Sequence, residues 1–382
     1  MINGHFSRSD RHAMRSEVSK RQFKKATIKD VAAQAGVSTT TVSLFVSGRE
    51  SVCSPETADR IRHAVSSLHY TPGAVPRALR RRSLMTLGVC LPNPLDAGVE
   101  YGTVFFERLW RGVMYESDQE NCLLLHYPES LRNGTHYDAL LDGQTDGILM
   151  HEHENSRAEH LAQVGMPTVL IARSCDLPDG CGAACADEAA TVDCALSHLW
   201  DLGHHRIAHV AGPVGSYAPE GVTKPEIATA LYRDDVAIGR LHHYVSWLER
   251  RNAFDPRLVS YPQAWSAPDA HGILRSWNVA GDGAPTAVFC ANDMQALAMI
   301  AAARDLGLNV PGDLSVVGVD DSQAARQCDP PLTTVEIGID NVGREALRTL
   351  LRLMRGAPIE QCRVSIPVSQ LVVRQSTARM GA

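Results

Sequence analysis

The chain has 382 residues, 44% of them hydrophobic, with 37 Lys/Arg against 43 Asp/Glu and a formal net charge of −6. That length admits several domains, at about 100–200 residues each. The composition is that of a soluble globular protein, no apolar run is long enough to span a membrane, and the polar stretch Met1–Lys25 lacks a signal core, which opposes export.

A mildly acidic total argues against nucleic acid, but its distribution reverses that argument. Residues 1–82 carry 15 Lys/Arg against 6 Asp/Glu, leaving the remainder at −15. A basic head on an acidic body suits a protein that presents one end to phosphate. The ten cysteines form no framework and read as reduced thiols of a cytoplasmic protein. Cys181 and Cys185 are too loosely patterned for a metal site.

Residues 1–25 are rich in Arg and Lys without apolar spacing, and read as a disordered basic extension. From residue 26 to 72 the pattern is helix, tight turn, helix, helix. Thr27 and Asp30 form a capping-box signal, and Ile28, Val31, Ala32 and Ala35 share one helical face. Gly36 supplies the positive φ of a sharp turn. Ser38 caps a second helix that opens on Thr39, Thr40 and Thr41; Val42, Phe45 and Val46 pack it back, and Gly48 ends it. Such a pair presents the start of its second helix to a DNA major groove. Ser54 and Pro55 start a third helix with an apolar face of Ala58, Ile61, Ala64, Val65 and Leu68. Tyr70-Thr71-Pro72-Gly73 then breaks the chain before a short segment leading into Arg80-Arg81-Arg82.

These residues resemble the LacI/GalR family of bacterial transcriptional regulators. The likeness rests on Thr27-Ile-Lys-Asp-Val-Ala, Ala35-Gly-Val-Ser, Thr41-Val-Ser and His69-Tyr-Thr-Pro. It continues through Leu202-Gly-His-His-Arg-Ile-Ala-His-Val-Ala-Gly-Pro, Ala291-Asn-Asp-Met-Gln-Ala-Leu-Ala, Pro311-Gly-Asp-Leu-Ser-Val-Val-Gly-Val-Asp-Asp and Pro331-Leu-Thr-Thr-Val, in the family's order over residues 26–376. By resemblance, Thr39 and Thr40 read bases, while Ser38, Ser43, Ser54 and Thr57 touch phosphate and set register. Thr27, Lys29, Thr41, Ser47 and Tyr70 complete the expected DNA-facing set. Leu44 stands where many relatives carry arginine, so it either meets the groove or packs, and it leaves the operator sequence open. Residues 73–83 match the family's hinge helix, with Leu79 as the minor-groove wedge that kinks the duplex. A segment so short forms a helix only with partners, and Pro76 departs from the usual alanine, so a flexible linker is the competing reading.

From residue 84 to 376 short apolar strands alternate with amphipathic helices. Strands are expected at Thr86–Leu91, Cys122–His126, Gly147–Met150, Thr168–Ala172, Ile207–Ala211, Ala287–Cys290 and Leu314–Val319. Helices are expected at Ala189–Leu202, Ile238–Arg250 and Met294–Leu306. The fold class is therefore α/β with parallel sheets behind an all-α head. The resemblance implies a two-lobed body like a periplasmic sugar-binding protein, followed by a tail at 377–382, with an effector between the lobes. By resemblance, Arg173, Arg240, Trp265, Asn292 and Asp320 line that effector site, and Asp293 caps the helix beginning at Met294. Two cleft-flanking stretches, Leu95–Val104 and Gly215–Asp235, depart from the family pattern and leave the effector unnamed.

His151-Glu-His153 and His204-His205 lack a third ligand or nucleophile partner, and no catalytic role or cofactor is expected. The expected protein is a cytoplasmic repressor, a homodimer or dimer of dimers on a near-palindromic double-stranded DNA operator, tuned by a sugar-like effector. A regulator that no longer senses a ligand and a solute-binding protein are the competing readings. Replacing the wedge should separate the two halves of this mechanism. Leu79→Ala is expected to weaken operator binding and bending in gel-shift assays while effector titration is unchanged; unchanged bending removes the wedge.

Overall fold

The computed structural model describes residues 27–46, 53–68, 85–92, 103–128, 140–141, 143–152, 155–174, 176–214, 235–279, 281, 283–368 and 370–381. Ser47, Tyr70, Leu79, the extension 1–25, the hinge 73–83, His153 and most of both cleft-flanking stretches lie outside these residues. The chain divides into two compact units, Met1–Leu84 and Met85–Ala382. Among the described residues, no helix is long and apolar enough to cross a membrane.

In the first unit, α1 (Ile28–Ala35), α2 (Thr39–Val46) and α3 (Pro55–Ser67) enclose a small core. Val31, Ala32, Ala35, Val42, Phe45, Ala58, Ile61 and Ala64 are buried in it. Thr27 caps α1 reciprocally with Asp30: the Thr27 amide donates to Asp30 Oδ2 at 2.7 Å and the Asp30 amide to Thr27 Oγ1 at 3.3 Å. Gly36 follows at φ 64°, ψ 41°, a conformation that disfavours any residue with a Cβ.

The second unit holds two sheets. The first has order β11-β5-β4-β3-β1-β2, all parallel: β1 Thr86–Cys90, β2 Leu123–His126, β3 Gly147–Met150, β4 Thr168–Ile171, β5 Gly182–Ala186 and β11 Arg363–Ile366. The second has order β12-β10-β9-β8-β6-β7: β6 Ile207–Val210, β7 Val259–Ser260, β8 Ala287–Cys290, β9 Ser315–Val319, β10 Thr333–Glu336 and β12 Gln370–Val372. Only β12 runs antiparallel to its neighbour there. β3, β4, β5, β6, β8 and β9 are buried along their whole lengths, as parallel strands covered on both faces must be.

The helices of this unit are α4 Thr103–Gln119, α5 Asn155–Gln163, α6 Glu188–Asp201, α7 Asp235–Glu249, α8 Ala270–Ser276, α9 Asp293–Asp305, α10 Gln323–Gln327 and α11 Ile339–Met354. The chain passes from the first sheet to the second through α6, returns through α11, and passes again from β11 to β12. Five expected strands are one residue shorter at an end, at Leu91, Cys122, Ala172, Ala211 and Leu314. At Ala172 the reason is visible: φ is 56°, which leaves the extended region.

α11 packs directly on α4 because glycines face each other. A Cβ on Gly112 would run into the Asp340 carbonyl, and one on Gly343 into the Leu109 carbonyl. Overpacking of this kind costs roughly 1–3 kcal/mol. Gly343→Ala is therefore expected to lower stability by about that amount in urea unfolding of the full chain; an unchanged midpoint would show that the helices yield freely.

His209 of β6 is fully buried, stacked between Tyr244 at 4.7 Å and Phe289 at 4.9 Å, and its Nδ1 donates to the Phe289 carbonyl at 2.8 Å. Burial drives its pKa from the ordinary 6.5 to about 4. The folded protein thus resists a proton that the unfolded chain accepts. Stability from this group is complete above pH 6.5 and is lost as pH falls through about 4. His209→Asn should flatten the pH dependence of unfolding between those values, whatever its effect on absolute stability; an identical slope would contradict this.

Candidate DNA-reading helix and effector cleft

In the head, the start of α2 is fixed by its own hydroxyls. The Thr41 amide donates to Ser38 Oγ at 3.0 Å, and the Ser38 and Thr41 hydroxyls lie 2.8 Å apart. This leaves Thr39 and Thr40 exposed on the first turn, with Thr41, Ser43 and Leu44 half-buried beside them. The same device recurs at α3. There Ser54 Oγ accepts from the Thr57 amide at 3.4 Å and lies 3.0 Å from Thr57 Oγ1, which takes an Arg60 contact at 3.4 Å. Thr27, Lys29 and Ser54 are exposed and Thr57 is half-buried. Helix N-termini with exposed amides and hydroxyls suit phosphate.

In the body, the residues expected at the effector site gather beyond the carboxyl ends of the parallel strands, where ligands sit in such folds. Arg240 of α7 is 3% exposed; its Nε donates to Glu188 Oε2 at 2.6 Å and its Nη1 to the Ala291 carbonyl. The Trp265 ring lies 5.8 Å from the Arg240 guanidinium and rests on Gly212, where any Cβ would collide with it. Asp320 follows β9 at φ 115°, a strained backbone of the kind that collects at binding sites. Burial, reinforced by the carboxylate of Asp293, raises its carboxyl well above the usual range, against the pull of Arg240 and Arg108.

Arg173 is placed differently. It is buried, its Nε is 2.5 Å from Asp235 Oδ2, and its Nη1 donates to Asn155 Oδ1 at 2.9 Å. It lines a cavity of about 250 Å³ with Glu188, Gly239 and His243, walled by β5 and β11. Asn292 is the cap of α9: its Oδ1 accepts from the Gln295 amide at 2.8 Å and its Nδ2 donates to the Trp265 carbonyl at 2.9 Å. Asp293 therefore does not cap this helix. It is its first residue, and its carboxylate accepts from the Ser322 amide at 2.7 Å and the Thr334 hydroxyl at 2.5 Å. Burial raises its pKa to about 6. The cap therefore lies one position earlier than expected, and the same asparagine amide also bonds the Trp265 carbonyl.

Two residues at this site carry no distinctive sequence signal. Glu188 is the buried partner of Arg240. Arg108 of α4 reaches across to Glu336 at 2.9 Å, Asp340 at 2.8 Å and the Asp320 carbonyl at 2.7 Å. Their partners lie 52 and more than 200 residues away in the chain, beyond any local pattern. Asp321 is paired with Arg326 and Arg374. His151 bonds the Ile171 carbonyl at 3.1 Å and His204 lies between Thr286 and the Ala378 carbonyl.

The profile described as "Bacterial regulatory proteins, lacI family" matches residues 27–73, and that of a "Periplasmic binding protein-like domain" matches residues 196–377. The chain is 32% identical over 365 residues to the HTH-type transcriptional regulator reg1 of Streptomyces lividans, covering 91% of this chain and 96% of the relative. It is 29% identical over 352 residues to the HTH-type transcriptional repressor CytR of Escherichia coli (strain K12), covering 88% and 92%. Among solved structures it is similar to a complex of the transcriptional regulator CelR with cellobiose, with TM-score 0.61, 27% identity and coverage of 92% and 99%.

Proposed function

Because this chain belongs to the LacI family of bacterial regulatory proteins, we propose that it represses transcription by gripping an operator with paired heads and loosening or tightening that grip when a small polyhydroxylated metabolite enters the body. The observation that carries the DNA reading is the first turn of α2, where Ser38 and Thr41 lock each other and leave Thr39 and Thr40 exposed. Threonine offers a hydroxyl to base edges and a methyl to thymine. Ser38, Ser43, Ser54, Thr57, Thr27 and Lys29 hold phosphate, and Ser47, Tyr70 and Leu79 act with them by resemblance. Leu44 is assigned a contact at the same groove.

The effector reading rests on Arg240, Trp265 and Asp320 converging beyond the strand ends, and on a CelR relative whose solved complex holds cellobiose. Asn292 serves that site by fixing Trp265, and Arg173 by walling its flank. Pairing of bodies is supported by exposed apolar side chains on and beside α4, namely Val104, Met114, Tyr115 and Leu123. A solute-delivery role leaves the three-helix head without a purpose. The ligand must bind the two lobe arrangements unequally, and DNA must in turn alter ligand affinity.

Genome-wide mapping of bound sites tests this reading, and it fails if purified protein prefers no genomic fragment over random competitor. At a site so mapped, Thr39→Ala and Thr40→Ala should each lower affinity by up to about 1–3 kcal/mol. The loss should fall on the specific site and spare random DNA, as read by competition gel shift. An equal loss on both would make these residues phosphate contacts instead.

A further inference from the structure

Resting on the effector reading above, we propose that the inter-lobe cleft accepts an uncharged, hydroxyl-rich ligand and rejects its anionic derivatives, with Glu188 as the residue that sets this selectivity. The guanidinium groups there are already matched. Arg240 donates to Glu188 at 2.6 Å, and both side chains are about 95% buried, at 4% and 5% exposure. Arg108 lies between Glu336 and Asp340, at 2.9 and 2.8 Å. Arg173, on the flank, faces Asp235 at 2.5 Å.

The groups that act electrostatically on Asp320 are Asp293, Arg240, Arg108 and Glu188. Glu188, Glu336 and Asp340, the partners of Arg240 and Arg108, by themselves set three carboxylates against two guanidinium groups. A phosphate or carboxylate entering this cluster meets an excess of acid. To reach Arg240 it must break the buried Arg240–Glu188 ion pair. A neutral polyol faces no such conflict. It leaves the Arg240–Glu188 pair intact, and its apolar face lies on the Trp265 ring, which packs on Gly212.

The test is calorimetric titration of the full-length protein with matched pairs: D-glucose against D-glucose 6-phosphate and D-glucuronate, cellobiose against cellobionate, D-ribose against D-ribose 5-phosphate, and adenosine against AMP. The expected result is that every pair with a binding member shows the neutral compound at least tenfold tighter. Glu188→Gln, which keeps shape but removes charge, should shrink that ratio at least tenfold, chiefly through tighter anion binding. An anion that binds the unaltered protein as tightly as its neutral parent overturns the inference while leaving the effector reading intact. So does an unchanged ratio in folded Glu188→Gln; should that variant not fold, the ratio in the unaltered protein decides alone. Binding of no compound at millimolar concentration instead overturns the effector reading, and the inference with it.

Discussion

The body is organised around the ion pair between Arg240 and Glu188. Two charges of this size leave water only if each finds the other and the remaining hydrogen-bonding positions are met. Here Arg240 has Glu188 on one edge, the Ala291 carbonyl on another and the Trp265 ring near its face. The pair ties the helix that carries the chain from the first sheet to the second, α6, to the first helix returning within the second, α7. Removing either partner would break a buried ion pair, which is costly.

Arg108 does a comparable task at the opposite side. It reaches from α4 to the Asp320 carbonyl and to two carboxylates at the entrance of α11. α4 in turn lies against α11 at a glycine contact that allows almost no separation. One guanidinium thus joins the Asp320 backbone to α4 and to the start of α11.

How much of this was legible in the sequence follows from the range of each interaction. The head is written in contacts three residues apart, Thr27 with Asp30, Ser38 with Thr41 and Ser54 with Thr57, and each could be read directly. Seven body strands were legible as short apolar runs, whereas β5, β7, β10, β11 and β12 were not; β5, for one, is buried throughout but built of Gly, Ala and Cys. The ends of those seven were less legible: Ala172 looks like strand and turns left-handed. Asn292 and Asp293 illustrate a deeper limit. Both residue types cap helices and both bind hydroxyls, and the assignment shows only in tertiary contacts: Asn292 bonds the Trp265 carbonyl while Asp293 accepts from Ser322 and Thr334. Glu188 was invisible as a site residue because its significance comes entirely from Arg240, 52 positions later.

The path of the chain through the two sheets bears on how the body can be made. β11, which completes the edge of the first sheet beside β5, is contributed by Arg363–Ile366, after every strand of the second sheet except β12. The second sheet waits equally long for β12. Neither lobe is therefore a contiguous stretch of sequence, and neither sheet is complete until residues 363–372 have been made. A nascent body must hold an unfinished β5 edge through the synthesis of the whole second lobe. A chain cut short before residue 363 would lack the closing strand of both lobes rather than simply losing one of them.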